Sequence, residues 1–413
     1  MIIRTRGGDM EYRTELGTLL GQYGLGRAGY GASAGVPVTT LTVAGIPAVH
    51  AAITFAAEAV AILPMRVWRG EEPIPQRVGT TWQARLFRGS PNEQQKSWYH
   101  FWEAVQSSLD YRGNAYIWKS KDKSGRVVRM YALHPDQVYL RRETTTKRIL
   151  YRVAFGGAYP TPPEVSQYAA VTVGEETILH IRGRGGSGEL VSPSPITLFR
   201  SALAVAVAKQ QYEANLYKQG VQGGLVVSFP GGTTVEQANR WRENFDADHA
   251  GTTNAGKTKV VGGGATVTQI GMTQKDAQFV DSIALSVNDV SRIFRIPAWF
   301  LGVDYKHDHP ATPEHEQQRW AQHGLNPRLA RIEAALYADP DLFGASQDYP
   351  AFDTQNLIRG DLATEADIAI RKVQAGIWLP DDARALDGLP PYPDGIGQIP
   401  QITPVGGAPN PNS

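Results

Sequence analysis

The stretch Gly251-Thr252-Thr253-Asn254-Ala255-Gly256-Lys257-Thr258 carries the GxxxxGK[ST] spacing of a phosphate-binding loop. Such a loop cradles phosphates with backbone amides, reaches the terminal phosphates with its lysine and holds magnesium through its hydroxyl. Taken alone, it predicts a nucleotide hydrolase. That chemistry needs a strand before the loop and a helix directly after it, so that the positive helix N-terminus faces the phosphates. The order here is inverted. A charged, helix-like segment precedes Gly251, while Lys259-Val260-Val261 followed by three glycines starts a helix poorly. A P-loop NTPase built on Gly251 to Thr258 is therefore the alternative reading and not the leading one.

Other chemistry-bearing residues fall short in similar ways. Gly183-Arg184-Gly185-Gly186-Ser187-Gly188 matches GxGxxG and follows the strand-like TILHIR, as a dinucleotide-binding turn would. Pro193 and Pro195 delay the next helix to about Ser194, too far on to face a pyrophosphate, so the stretch reads as a flexible lead-in to a helix. His307, His309, His315 and His323 stand near Asp304, Asp308 and Glu314, all metal-ligand types. Arg319 occupies the place where a metalloprotease helix needs its second histidine, and solvated loop histidines are the simpler reading. Asp246 with Asp248, and Asp381 with Asp382, lie in polar surroundings that suit solvated carboxylates better than acid–base catalysis. No catalytic residue, metal or cofactor is expected.

Composition narrows the classes further. The chain has 413 residues, 42% hydrophobic and 20% charged, enough for a buried core and two or three domains. With 41 Lys and Arg against 40 Asp and Glu, the net charge of +1 excludes a binder held on nucleic acid by surplus basic charge. The absence of cysteine excludes disulfides, thiolate zinc sites, iron–sulfur clusters and a thiol nucleophile, and favours a cytoplasmic origin. The opening MIIRTRGGDMEYRTE lacks the apolar run of a secretory signal, so the mature chain is expected to begin there. Ala44 to Leu63 is the most apolar stretch, but His50 and Glu58 interrupt it, which predicts a buried helix rather than a membrane span.

The elements that must position these residues follow from periodicity. Residues 1–44, rich in Gly, Ala and Thr, read as a flexible arm, with the fold beginning near Gly45. Met65 to Trp68 reads as a strand, and Ser90-Pro91-Asn92 as a turn. Trp98, Phe101, Trp102, Val105 and Leu109 then line one face of a helix near Gln94 to Asp110, closed by Gly113. From Asn114 to Arg182 the texture is that of an antiparallel meander. Ser194 to Gly220 predicts an uninterrupted helix about 38 Å long. Val221 to Ile270 reads as a small α/β module. A second rod from Thr273 to Pro297 carries Phe279, Ile283, Val287, Val290 and Phe294 on one stripe. Two rods flanking a module predict an antiparallel hairpin with the module at its tip. A helix from Glu314 to Ala338 should kink at His323 to Pro327. TEADIAIRKVQAGIW gives a last helix before a Pro/Gly-rich tail from Leu389.

These segments, in this order, resemble the portal proteins, or head-to-tail connectors, of tailed double-stranded DNA bacteriophages, from about Ile46 to Pro390. The resemblance is carried by AEAVAILPMRVWR, SPN at Ser90, YRGNAYIW, LHPDQV, ILHIR, SPSPI with its long helix, KDAQFVDSIALSVNDVSRIFRIPAWFLG, YPAFDTQNLIRGD and AGIWLPDDARALDGLPP. Each string is weak, and their collinear order is specific. The chain departs from the family at Leu379-Pro380-Asp381-Asp382, where a Thr-x-Asn-Glu type of helix start is commoner.

The resemblance implies an α+β ring subunit with a β-rich wing, an antiparallel two-helix stem, a small α/β clip and a helical crown. By position, 1–44 is the flexible arm, 45–193 the wing, 194–220 and 271–297 the stem helices, and 221–270 the clip. Residues 298–312 are the tunnel loop, 313–360 the kinked tunnel helix and its return to the wing, 361–390 the crown and 391–413 a flexible tail. Tyr305, Lys306, His307, Asp308 and His309 would face DNA, while Arg240, Arg242, Glu243, Asp246, Lys257 and Lys259 would dock terminase and adaptor. Phe279, Ile283, Val287, Val290 and Phe294 would pack the stem. The implied assembly is a ring, typically of twelve subunits, at one capsid vertex of the virion, put together in the bacterial cytoplasm. Its implied partners are the large terminase, a head–tail adaptor, the major capsid protein or scaffold, and double-stranded DNA passing without sequence specificity. No membrane and no enzymatic activity are implied. The near-neutral charge agrees, since each neutralised phosphate would add salt-dependent grip and hinder sliding.

Overall fold

The computed structural model describes residues 2–4, 10–13, 38–70, 76–156, 159–184, 190–218, 224–228, 234, 236, 239–240, 266–270, 287–302, 313–344, 346–354, 362–386 and 390–400. The chain forms two compact units, Met1–Phe352 and Asp353–Ser413.

The first unit begins with two short strands, β1 (Ile2–Arg4) and β2 (Met10–Arg13), and a helix, α1 (Thr40–Ala44), capped by Thr39. The expected arm before residue 45 is corrected at these places, because an unpaired edge of backbone donors and acceptors can recruit even a polar segment as a strand. Helix α2 (Pro47–Ala61) starts with proline at its first turn and buries Val49, Ala52, Ile53, Ala56 and Val60. It is the expected buried helix. Strands β3 (Met65–Arg69) and β4 (Gln76–Arg77) and helix α3 (Trp82–Arg88) follow.

Helix α4 (Trp98–Arg112) begins four residues later than the periodicity predicts. The cause is Asn92, whose Oδ1 accepts from the Gln94 and Gln95 amides at 2.9 and 2.6 Å, committing them to a turn. Gly113 ends α4 in the left-handed region, φ 76°, as expected.

The meander comprises β5 (Asn114–Lys121), β6 (Val127–Leu133), β7 (Val138–Arg142), β8 (Ile149–Ala154), β9 (Ala170–Gly174) and β10 (Ile178–Arg182). It divides into a sheet ordered β10-β5-β6 and another ordered β1-β2-β7-β8-β9, all neighbours antiparallel. Tyr116, Trp118, Tyr131, Leu140, Tyr151 and Ile178 form their shared core.

The expected uninterrupted rod from Ser194 is instead a short helix, α5 (Pro195–Leu198), and a long one, α6 (Arg200–Lys218), with Phe199 non-helical between them. The break separates two anchors. The Ser194 hydroxyl donates to the Tyr111 carbonyl at 2.6 Å and accepts from the Ile196 amide, while α6 seats Leu203, Ala204 and Val207 in the helical core. Strands β11 (Gly224–Ser228) and β12 (Thr266–Ile270) pair antiparallel. Helix α7 (Val287–Phe294) stops before the predicted Pro297, because Arg295 turns left-handed at φ 55°. Val290 and Phe294 join Val49, Ile53, Leu203 and Val207 in one core.

A helix α8 (Pro313–Trp320) continues through a π-helical turn (Ala321–Leu325) into α9 (Asn326–Ala338). The predicted kink is this wider turn. Strand β13 (Asp348–Phe352) pairs with β3, and its Asp348 takes a two-toothed grip from Arg69 at 2.6 and 3.1 Å.

The second unit contains α10 (Leu362–Gln374) and α11 (Pro380–Leu386). The Leu379 amide donates to Asp382 Oδ2 at 2.9 Å, so aspartate at the third helical position holds the residue before the helix, the service that glutamate gives in a capping box. The departure at Leu379-Pro380-Asp381-Asp382 thus keeps the helix start. The expected flexible tail is also corrected in part: Pro393–Gln398 is a 3-10 helix, and the Tyr392 amide donates to Asp381 Oδ1 at 2.8 Å.

Candidate functional site

Five residues proposed to face DNA, Tyr305, Lys306, His307, Asp308 and His309, lie outside the described residues, as do Arg242, Glu243, Asp246, Lys257 and Lys259 of the module and Phe279 and Ile283 of the stem. Arg240 is helical and exposed. Val287 is half-buried, and Val290 and Phe294 are buried in the core shared with α2 and α6. The structure therefore defines the platform that holds both ends of segment 303–312.

The near end is fixed by aromatic packing. A 3-10 turn, Ala298–Leu301, closes on left-handed Gly302. Its Phe300 ring lies 4.6 Å from Phe55 of α2 and 5.6 Å from Trp320 of α8, and Phe55 is 4.9 Å from Trp320. One aromatic cluster thus ties both flanks of the segment to the buried helix. None of these rings was singled out from the sequence, though the consecutive Trp299 and Phe300, one residue beyond the Pro297 stop, are the signal that could have found them.

Below the cluster, charge does the holding. The carbonyls at the end of α7 lack partners within the helix and carry partial negative charge. Arg328, 5% exposed, donates from Nη2 to the Phe294 carbonyl at 2.6 Å and from Nη1 to the Gly324 carbonyl of the π turn at 2.7 Å. Arg184 donates to the Ile293 carbonyl at 3.0 Å. Gly324 is required there, since a Cβ would stand 2.5 Å from the Trp320 ring and 3.0 Å from the Arg295 carbonyl. Buried Asp110 lies 3.9 Å from Arg328 and accepts from Gln106 at 2.7 Å. Burial first, and then the like charge of Arg328, holds Arg184 and Arg331 below the usual guanidinium range.

The motifs that suggested chemistry find structural uses. Gly183, the first glycine of GxGxxG, donates its amide to the Gly113 carbonyl at 2.7 Å, and a Cβ on it would stand 2.4 Å from that oxygen. Its smallness serves a close backbone approach. Glu316, beside His315, pairs with Arg319 at 3.0 Å, and His323 is exposed. Among the described residues no group of three metal-ligating side chains converges. The described elements flanking Gly251 to Thr258 are helical Asn239 and Arg240 before it and strand β12 after it, so the P-loop alternative gains no support.

One half-buried histidine escaped the sequence reading. His180 stacks on Tyr116 at 4.5 Å and meets Asn114 Oδ1 through Nε2 at 3.0 Å. Burial, helped by Arg182, pushes its pKa down to about 3, so it stays neutral and donates. The apolar alternation of ILHIR was its only signal.

Comparison with known proteins agrees with this architecture. The family described as phage portal protein matches residues 47–388. The chain is 25% identical over 374 residues to the probable portal protein of Streptomyces phage phiC31, covering 89% of this chain and 79% of that protein. It is 25% identical over 318 residues to the portal protein of Enterobacteria phage HK97, covering 76% and 70%. The fold resembles the neck of an empty gene transfer agent particle, with a TM-score of 0.55 and 20% identity over 85% of this chain and 92% of that one. It also resembles an HK97-family portal protein from Corynebacterium diphtheriae, with a TM-score of 0.52 and 16% identity over 79% and 99%. With the family match running from the buried helix α2 through the platform to just beyond α11, the chain belongs to the phage portal protein family.

Proposed function

We propose that copies of this chain close into a ring at one vertex of a virion and form the channel through which double-stranded DNA is packaged and ejected. The observation that carries this reading is the clamped pair of ends around segment 303–312: Phe55, Phe300 and Trp320 on one side and Arg328 beneath them. A conduit needs its innermost loop held by a rigid body while DNA slides past, and the near-neutral chain keeps phosphate grip weak. A ring of twelve is favoured by the fold's likeness, at a TM-score of 0.51, to a gene transfer agent neck computed with C12 symmetry.

In this reading Tyr305, Lys306, His307, Asp308 and His309 line the channel. Residues 221–270, with Arg240, Arg242, Glu243, Asp246, Lys257 and Lys259, receive the large terminase and then the head–tail adaptor. Helices α6 and α7 belong to an antiparallel stem, the meander is the wing, and the second unit is the crown. The wing meets the major capsid protein or scaffold during assembly in the host cytoplasm. The role is structural, with no catalytic group of its own.

The experiment is particle mass in near-physiological buffer together with class-averaged electron images. A mass near twelve times 45.1 kDa with annular views and an open centre supports the reading. A closed particle without a channel wide enough for duplex DNA, or a monomer that hydrolyses ATP, overturns it.

A further inference from the structure

Strand β10 is an edge of its sheet, whose order is β10-β5-β6. The Lys119 amide donates to the Thr177 carbonyl at 2.8 Å and the Gly183 amide to the Gly113 carbonyl at 2.7 Å, both in the register that sets Ile178 opposite Trp118. Hydrogen-bonded pairs alternate along an antiparallel ladder. Leu179 and Ile181 therefore spend their backbone groups on β5, while Ile178 and His180 turn theirs to the outer edge.

That edge opens onto a groove of about 1240 Å³. Ile178, Leu179 and His180 all line it, and since neighbours along a strand face opposite sides, the groove follows the edge of β10 and not one face. Its walls are the layers that already cover β10: β8, through Ile149 and Tyr151, and α9, through the exposed Ala334 and Ala338. The His180 ring lies 6.0 Å from Tyr151, and α9 packs against β10. A further strand in the groove would find its ladder partner and both covering layers in place. The volume exceeds the roughly 300–1,000 Å³ typical of small-ligand pockets, which suits a length of chain.

Charge distinguishes the two ends. Arg182 and Arg331 stand in the groove where β10 leads into Arg184, on which Arg331 acts. Asp339 and Asp341 stand at the start of β10, where Lys119 joins them to the Glu175 carbonyl.

We infer that an extended segment of a partner protein adds to β10 as a further strand. Both pairs already in this sheet are antiparallel, and the added strand continues that pattern. A strand covered on both faces is apolar along its length, and main-chain pairing excludes proline. The segment therefore has a proline-free apolar centre, with an acidic residue at its N-terminal end to meet Arg182 and Arg331. The inference goes beyond the ring reading and does not depend on it, because every wall of the groove belongs to one subunit.

The probe is an end-blocked peptide, Asp-Val-Ile-Val-Ile-Lys, added to the full chain held dilute, with hydrogen exchange read at single amides. Without peptide, the Ile178 and His180 amides exchange fast and those of Leu179 and Ile181 slowly. The peptide slows Ile178 and His180 by roughly tenfold or more. Lys-Val-Ile-Val-Ile-Asp, with its charges reversed, binds more weakly, and Asp-Val-Pro-Val-Pro-Lys gives no slowing. Ala334→Trp, at an exposed position of the wall, keeps the wild-type melting temperature and loses the effect.

Five results would overturn the inference: a His180 amide already slow in the dilute chain without peptide, which means that the chain covers its own edge; slowing that arises on assembly alone, which marks a second copy as the occupant; no slowing at millimolar peptide; equal slowing by the proline peptide, which marks binding without strand pairing; or full slowing in a folded Ala334→Trp, which places the peptide outside the groove.

Discussion

The ammonium of Lys119, fully buried in strand β5, lies 2.6 Å from the carboxylate of Asp339, just beyond the end of α9. Asp341 adds a second carboxylate at 2.7 Å, and the Glu175 carbonyl accepts from the same nitrogen at 3.1 Å. This contact staples the β-rich part of the first unit to the helix that descends from the platform. Lys119→Met is expected to lower stability by about 3–5 kcal/mol, because it leaves a buried carboxylate uncompensated. Urea denaturation of the purified chain checks this, and a loss below about 1 kcal/mol would show that water replaces the ammonium.

The same contact sets an acid limit. Burial works against ionisation of Asp341, but hydrogen bonds from Lys119 and Lys121 outweigh it and hold the carboxyl below its usual range. A folded-state pKa below the unfolded one gives stability that is present above the ordinary carboxylate pKa and lost as pH falls through the lowered one. The wild-type melting temperature should therefore fall as pH drops below about 4, and Asp341→Asn should flatten that fall while starting lower at neutral pH. Parallel pH profiles for the two proteins would exclude Asp341 as a contributor.

Much of the architecture was legible before the fold was known, for reasons that differ by element. Helix α2 announced itself through apolar density, and the meander through β-branched and aromatic runs. What escaped were interactions between distant positions. No local pattern says that Asn92 will capture the two amides that would otherwise begin α4. Arg328 lies on a helix whose kink the glycine and proline of His323 to Pro327 foretold, yet nothing local says that the kink is a π turn or that the Arg328 guanidinium serves the carbonyls of Phe294 and Gly324. His180 looked like one polar position in an apolar strand, and only the placement of Tyr116 and Asn114 around it makes it a neutral core donor.

Gly324 offers a test of the platform. Gly324→Ala drives a methyl into the Trp320 ring and against the Arg295 carbonyl, so the helix must move or the indole must rotate away from Phe55 and Phe300. A loss of about 1–3 kcal/mol is expected from overpacking. Tryptophan near-ultraviolet circular dichroism should change with it, since the indole environment changes. An unaltered spectrum together with unaltered stability would show that the π turn accommodates a side chain.

The phosphate-loop pattern gives the last prediction. Lysine in a working loop reaches the terminal phosphates, and the amides that accompany it come from a helix N-terminus that directly follows. Here the next described element after Thr258 is strand β12, paired with β11 from Gly224↔Ile270 to Ser228↔Thr266, so the described residues give the loop no helix to complete it. Lys257→Ala should accordingly leave ring mass unchanged and alter no nucleotide affinity. Calorimetric titration with magnesium and ATP should give no heat of binding at millimolar nucleotide for either protein. If wild type binds ATP at micromolar concentration and the substitution abolishes it, the stretch Gly251 to Thr258 has a nucleotide role, and the purely structural reading of the chain falls.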